Sequence, residues 1–289
     1  NVTSTTKYTL IQNGTAHTNL ATTTVFSFPN PVTAGNTLIV GVHTFDEGLT
    51  SISDNRGNTY SLAVSEIFGN LEVRIFVASN VTAGPTTVTV VTGGAISGNN
   101  FTCINAHEFQ GIISASPVAA TGSNNSNPNP SSSPFNSGTA AVTNADDLIF
   151  SYVYVNGGGG SAPAGYTLAT STTFAAAGGT QQLSSAFRAP GVTGSVSPSW
   201  SKGSVGATVI LKSAESATLE VGGGFPNAPV LTVYYHLPAG TGPGFTGPTE
   251  PIWSTALGGI VNDGGVQWTN YGPVEIWYPQ TNYAVPVVV

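Results

Sequence analysis

Short runs of β-branched and aromatic residues recur through residues 22–211, and apolar positions within them alternate instead of returning every three or four places. Residues 22–28, 37–42, 71–77 and 86–91 are the clearest, each bounded by Gly, Pro or Asn; 101–109, 147–154, 182–187 and 207–211 follow the same pattern. Their rhythm approaches the spacing of about 8–12 residues typical of antiparallel sandwiches. No segment keeps apolar residues at helical spacing over several turns. The expected fold is all-β: an antiparallel β-sandwich, jelly-roll or immunoglobulin-like, followed by a second, smaller β-rich domain.

Two stretches break the alternation. Residues 123–133 contain Asn-Pro-Asn-Pro followed by three serines, which cannot pair inside a sheet and read as a long loop within one sandwich. After Leu211 the alternation fades, and the composition shifts toward Trp, Tyr, Pro and Gly, with Trp253, Trp268 and Trp277 all in this part. The expected organisation is a sandwich over 1–213, with an N-terminal arm at 1–12, and a small Trp/Tyr/Gly-rich β domain over 214–289 with a C-terminal strand.

Charge changes the picture next. Only 7% of the residues are charged, against about a quarter in an ordinary soluble domain. With 40% apolar residues the chain still has the means to fold, unlike disordered chains of low hydrophobicity and high net charge. Its formal charge is −7 and its six Lys and Arg are scattered, so no basic patch invites nucleic acid or an anionic membrane surface. No apolar run of about 18 residues is present, so membrane insertion by a helix is not expected. Methionine is absent even at position 1, which suggests a secreted, extracellular or cell-surface chain whose signal segment has been removed. Asn13, Asn80, Asn100 and Asn124 open Asn-x-Ser/Thr sequons, as does Asn1, and are candidate glycosylation sites.

Catalytic and metal chemistry is thinly represented. Cys103 is the single cysteine and its neighbours, Phe101 and Ile104, mark it as a buried small hydrophobe in a strand. His17, His43, His107 and His236 stand far apart, and no nucleophile elbow, zinc-binding helix motif or phosphate loop accompanies them. The tetraglycine Gly157 to Gly160 lacks a lysine and reads as a flexible tip. Acidic residues at 46, 47, 54, 146 and 147 could converge on calcium, but Asp54-Asn55-Arg56-Gly57-Asn58 is also ordinary turn chemistry. No enzyme activity and no cofactor is expected, a bound calcium being the one alternative.

The series Asn30 to Val40, Ser53 to Tyr60, Ala78 to Gly84, Asp146-Asp147-Leu148 and Ala164 to Leu168 resembles a recurrent β-sandwich domain of secreted bacterial and archaeal surface proteins. Thr249-Glu250-Pro251-Ile252-Trp253, Gly258-Gly259, Asp263-Gly264 and Gln267-Trp268-Thr269 resemble a short β module of phage virion and surface proteins. Extracellular sandwich architecture is what the first resemblance implies, and little about activity. The expected function is a secreted structural subunit that self-assembles by β-strand complementation into a filament or surface layer, with copies of itself as partners. Tyr8 and Leu10 in the arm, and Val285, Val287 and Val289 in the tail, are the alternating apolar anchors for that contact. The alternative is a carbohydrate-binding or adhesion module, or a phage virion surface protein, with Trp253, Trp268 and Trp277 stacking on sugar rings of a glycan.

Overall fold

The computed structural model of the chain describes residues 8–45, 48–93, 100–126, 133–176, 179–188, 191, 193–214, 260–263 and 266–269. The chain divides into two compact units, Asn1–Glu215 and Ser216–Val289. Regular structure among the described residues is all β, and every pairing is antiparallel.

The first unit opens with β1 (Thr9–Asn19), β2 (Thr23–Ser27), β3 (Thr37–Phe45), β4 (Leu49–Asp54), β5 (Ser61–Phe68), β6 (Leu71–Ala78), β7 (Thr87–Thr92) and β8 (Phe101–Gln110). One sheet runs β1-β8-β3-β6-β5 and a second runs β2-β7-β4. First pairs with eighth, second with seventh and third with sixth, the wrapped wiring of a jelly roll, except that β5 folds back onto β6 instead of lying beside β4.

The rest of the unit comprises β9 (Val118–Asn125), β10 (Phe135–Asn136), β11 (Ala140–Val142), β12 (Leu148–Asn156), β13 (Thr167–Ala176), β14 (Gly179–Arg188), β15 (Gly194–Val196), β16 (Ser199–Trp200) and β17 (Val205–Leu211). Their large sheet, β9-β17-β12-β14-β13, repeats β1-β8-β3-β6-β5 place for place. The ribbons β11–β15 and β10–β16 stand where β2 and β7 stand in the first half, and β4 has no counterpart.

The equivalence reaches the register. Pairing slips between Leu10 and Gln12 along β1–β8, and between Val118 and Ala120 along β9–β17. It slips again between Leu62 and Val64 along β5–β6, and between Leu168 and Thr170 along β13–β14. Val32 bridges Gly84 as Val142 pairs with Gly194. Bulges fix which face each side chain takes, so matching bulges mean matching faces. The span read from sequence as one sandwich therefore holds two copies of one jelly roll.

Their large sheets pack face to face. Ile39, Val73, Ile75, Cys103 and Phe109 meet Phe150, Tyr152, Leu183, Val209 and Leu211 in this central core. Behind the first sheet, Leu38, Val40, Val42 and Phe76 pack on Phe26, Phe28, Val88 and Val90. Behind the second, Val153 and Val155 lie under Phe135 and Trp200, and Ile149 and Ile210 under Ala140 and Val142. Because β3 and β12 are covered on both faces, every residue from 37 to 44 and from 148 to 155 is buried, which explains their unbroken apolar runs. Each large apolar side chain so buried contributes about 1.5–3 kcal/mol. The ribbon crosses β9 so closely that a side chain at Gly122 would meet the Thr139 carbonyl oxygen at 2.2 Å.

Two expectations are corrected here. Residues 123–125 of the expected loop belong to β9, paired with β17; 127–132 lie outside the described residues. The tetraglycine is not a free tip: Gly157 N–H donates to the Thr180 carbonyl (2.8 Å), and Gly160 N–H to Gln182 Oε1 (2.9 Å). In the second unit, β18 (Ile260–Asp263) pairs with β19 (Val266–Thr269) as an antiparallel hairpin.

Candidate functional site

The seam between the two large sheets collects the groups that chemistry could use. On β8, His107 Nδ1 donates to the Ile39 carbonyl at 3.1 Å, leaving Nε2 to accept from Ser185 Oγ of β14 at 2.7 Å. Thr170 Oγ1 of β13 donates to Ser185 Oγ (2.6 Å) and accepts from Asn105 Nδ2 of β8 (2.8 Å). This chain needs a neutral imidazole, and burial holds the His107 pKa down at about 4. A serine hydroxyl at this distance from an imidazole is the geometry of a nucleophile and its base. Here both residues have 0% exposure, and their hydrogen bond ties the two sheets together inside the core.

His43 stacks on Tyr154 across the same seam, with ring centroids 4.1 Å apart, and donates through Nδ1 to the Glu72 carbonyl at 2.8 Å. Burial lowers its pKa to about 3. Cys103 is buried beside them, and burial pushes its thiol pKa up, away from reactivity. At the sheet margins, Glu66 of β5 accepts from Ser123 and Asn125 of β9, while Thr172 of β13 donates to Thr15 of β1. By register Glu66 and Thr172 are equivalent, as are Ser123 and Thr15, so the two halves meet about an approximate two-fold axis.

Two carboxylates are spent on structure. Glu108, with 0% exposure, accepts from Gln12 Nε2 (2.6 Å), Asn36 Nδ2 (2.6 Å) and Thr33 N–H (2.8 Å), pinning β1 to the connection between β2 and β3. Asp54 accepts from Arg56 N–H, Asn58 N–H, Asn58 Nδ2 and the Tyr60 hydroxyl, as its turn chemistry suggests. Positions 46 and 47 lie outside the described residues; Asp147 Oδ1 accepts from Ser213 N–H, and burial raises its pKa. No group of three or more His, Cys, Asp or Glu gathers among the described residues.

The arm residues are placed differently from expectation. Tyr8 is buried in this chain's own central core and donates to the Arg188 carbonyl; Leu10 packs on the same core. β1 pairs along its whole length with β8, so both residues are used at home and not on a neighbour. Of the sequons, Asn80 is exposed at φ 53°, Asn13 is half-buried on β1, and Asn124 donates its amide to the Asn136 carbonyl. Asn100 is only 3% exposed, which leaves a glycan no room in the folded state and corrects that assignment. Trp268 lies on β19 opposite Val261. Trp253, Trp277, Val285, Val287 and Val289 lie outside the described residues.

What the sequence reading missed is a vacant strand place. With β5 diverted to β6, the outer edge of β4 pairs with no strand among the described residues. Register puts Leu62 opposite Phe76 and Ile67 opposite Glu72, on the face of the large sheet that the small sheet covers elsewhere. Leu62 and Ile67 remain 50% and 59% exposed. Their alternation with Ser61, Ser65 and Glu66 was a usable signal for a strand, but nothing in it shows which face stays open. No helix among the described residues is long and apolar enough to cross a membrane. Compared with known proteins, the chain matches no family model, no curated protein and no solved structure.

Proposed function

We propose that this chain is a secreted structural subunit that assembles with copies of itself into an extracellular filament or surface layer by strand complementation. The vacant place beside β4, next to uncovered Leu62 and Ile67, is the observation that carries the reading. An extended segment from a second copy satisfies the open backbone edge of β4 while its alternate side chains cover those two residues. β4 guards that edge with a single charge, Asp54, whose carboxylate is already engaged in its own turn. A contact between a donor segment and a different acceptor surface is head-to-tail, so its repetition gives a fibre wherever the rotation between copies does not close a ring.

Electron microscopy of the native protein tests this directly, filaments or sheets being the expected result. Ile67→Asp places a charge in the acceptor place and should abolish polymer while leaving the melting temperature of the monomer unchanged. Polymer that survives Ile67→Asp, or a native protein that stays monomeric at all concentrations, overturns the proposal.

A further inference from the structure

The two halves are equivalent strand for strand, yet one has a hole where the other has a ring. By register Leu10 corresponds to Val118, so Tyr8 corresponds to Ser116; in the same way Phe187 corresponds to Val77. Tyr8, which leads into β1 of the first large sheet, lies in the core on which Phe187 of the second packs, and its hydroxyl donates to the carbonyl of Arg188. At the equivalent place on the first large sheet, the smaller Ser116 and Val77 leave a groove of about 450 Å³, lined also by Leu62, Ala63, Ser79 and Ser114. That volume lies within the range of about 300–1,000 Å³ found for small-ligand sites.

We infer that this groove is a binding site for a phenol ring, the group its twin already holds. The apolar part, Ala63, Val77 and the rim of Leu62, matches the ring's edge and face. The polar part supplies the hydroxyl's partners. The residue equivalent to Arg188 is Ala78 on β6, between the lining residues Val77 and Ser79, and Ser116 lines the groove as well. Ser79 Oγ already donates to the Ser114 carbonyl at 2.8 Å, which fixes the wall. The ring can arrive as a free phenol or as a tyrosyl side chain on a polypeptide, and both present the same chemistry.

The test is a titration of the ¹⁵N-labelled full chain with p-cresol and, separately, with N-acetyl-tyrosinamide. Saturable shifts at the amides of Ala63, Val77 and Ser116 are expected with p-cresol. The same shifts with N-acetyl-tyrosinamide extend the site to tyrosyl groups, and their absence confines it to free phenols. 4-Methylanisole, which cannot donate, should bind about tenfold more weakly. Ser116 sits at φ 48°, a conformation that a bulky ring tolerates poorly, so the blocking variant is Val77→Phe, which copies Phe187. It should weaken p-cresol binding at least tenfold at an unchanged fold, judged by its amide spectrum. If Val77→Phe unfolds, Ala63→Leu closes the same groove from the other wall. No saturable shift in the wild type, shifts elsewhere, or equal binding by the folded blocking variant overturns the assignment.

Discussion

The two jelly rolls share wiring, register and bulges but fill equivalent positions with different chemistry. Glu108 and Gln12, at the heart of a buried polar network in the first half, correspond by register to Ile210 and Ala120, which sit in an apolar cluster in the second. His43 corresponds to Tyr154, and the two stack on each other near the approximate axis; Gly41 corresponds to Tyr152, whose ring occupies the space Gly41 leaves. Pairing pattern and burial define this fold, and several side-chain sets satisfy them. The polar set differs in one respect: each of its members depends on the others, so removing one strands the rest.

That difference sets the largest expected effect. Glu108→Ala leaves the donors of Gln12, Asn36 and Thr33 unpaired in a buried site, and should cost about 3–5 kcal/mol. Ile210→Ala, at the twin position, removes apolar contacts only and should cost about 2–4 kcal/mol. Urea unfolding of both variants measures the comparison. A Glu108→Ala cost at or below that of Ile210→Ala would show that the network adds nothing beyond packing.

The second effect uses pH. His43 and His107 titrate near 6.5 when unfolded but at about 3 and about 4 in the fold, so below pH 6.5 the unfolded chain takes up protons that the folded chain refuses. Stability is therefore complete above about pH 7 and falls as pH drops from 6.5 toward 4, by about 3 kcal/mol for His107 alone. His107→Gln should flatten part of that slope in melting curves. The second half carries no equivalent buried histidine, since His107 corresponds to Val209.

A third effect lies at the axis. A Cβ on Gly41 would stand 2.7 Å from the Tyr152 ring, so Gly41→Ala should cost about 1–3 kcal/mol through overpacking. Combining it with Tyr152→Leu should cost less than the sum of the two single changes in a double-mutant cycle. Additive costs would mean that the two positions do not share the space.

How much of this was legible in the chain depends on burial. Strands covered on both faces, such as β3, β6, β8, β12 and β17, carry dense apolar runs and were readable to within a few residues. Margin strands were not. β13, Thr-Leu-Ala-Thr-Ser-Thr-Thr-Phe-Ala-Ala, buries only Thr170 and Phe174, so its pattern resembles a polar connection. The duplication left traces in Tyr60-Ser61-Leu62-Ala63 against Tyr166-Thr167-Leu168-Ala169, and in Val32-Thr33 against Val142-Thr143. These are short because equivalent positions diverge: Gly41 against Tyr152, where one half makes room for the other, and Glu108 against Ile210, where each half fills its own outer layer with different chemistry. The vacant place beside β4 was illegible for a different reason. It depends on which neighbour β5 takes, and the alternation along β5 does not specify one.

The smallest expected effect tests the same seam by a single atom. Tyr152 has 0% exposure, and its hydroxyl has no hydrogen-bond partner among the described residues, whereas Tyr154 and Tyr8 of the same core both donate. Burial pushes its pKa up, the direction expected for a phenol kept from water. A buried hydroxyl without a partner costs about 1–3 kcal/mol relative to a solvated one, while the ring itself is held by the space over Gly41. Tyr152→Phe keeps the ring and removes the uncompensated oxygen. It should therefore leave the melting temperature unchanged or raise it by a few degrees, whereas Tyr154→Phe, which forfeits a hydrogen bond to Gln181, should lower it by about as much. If Tyr152→Phe instead lowers stability by more than Tyr154→Phe does, the hydroxyl has a partner after all, and the seam is polar at the axis as well as at His107.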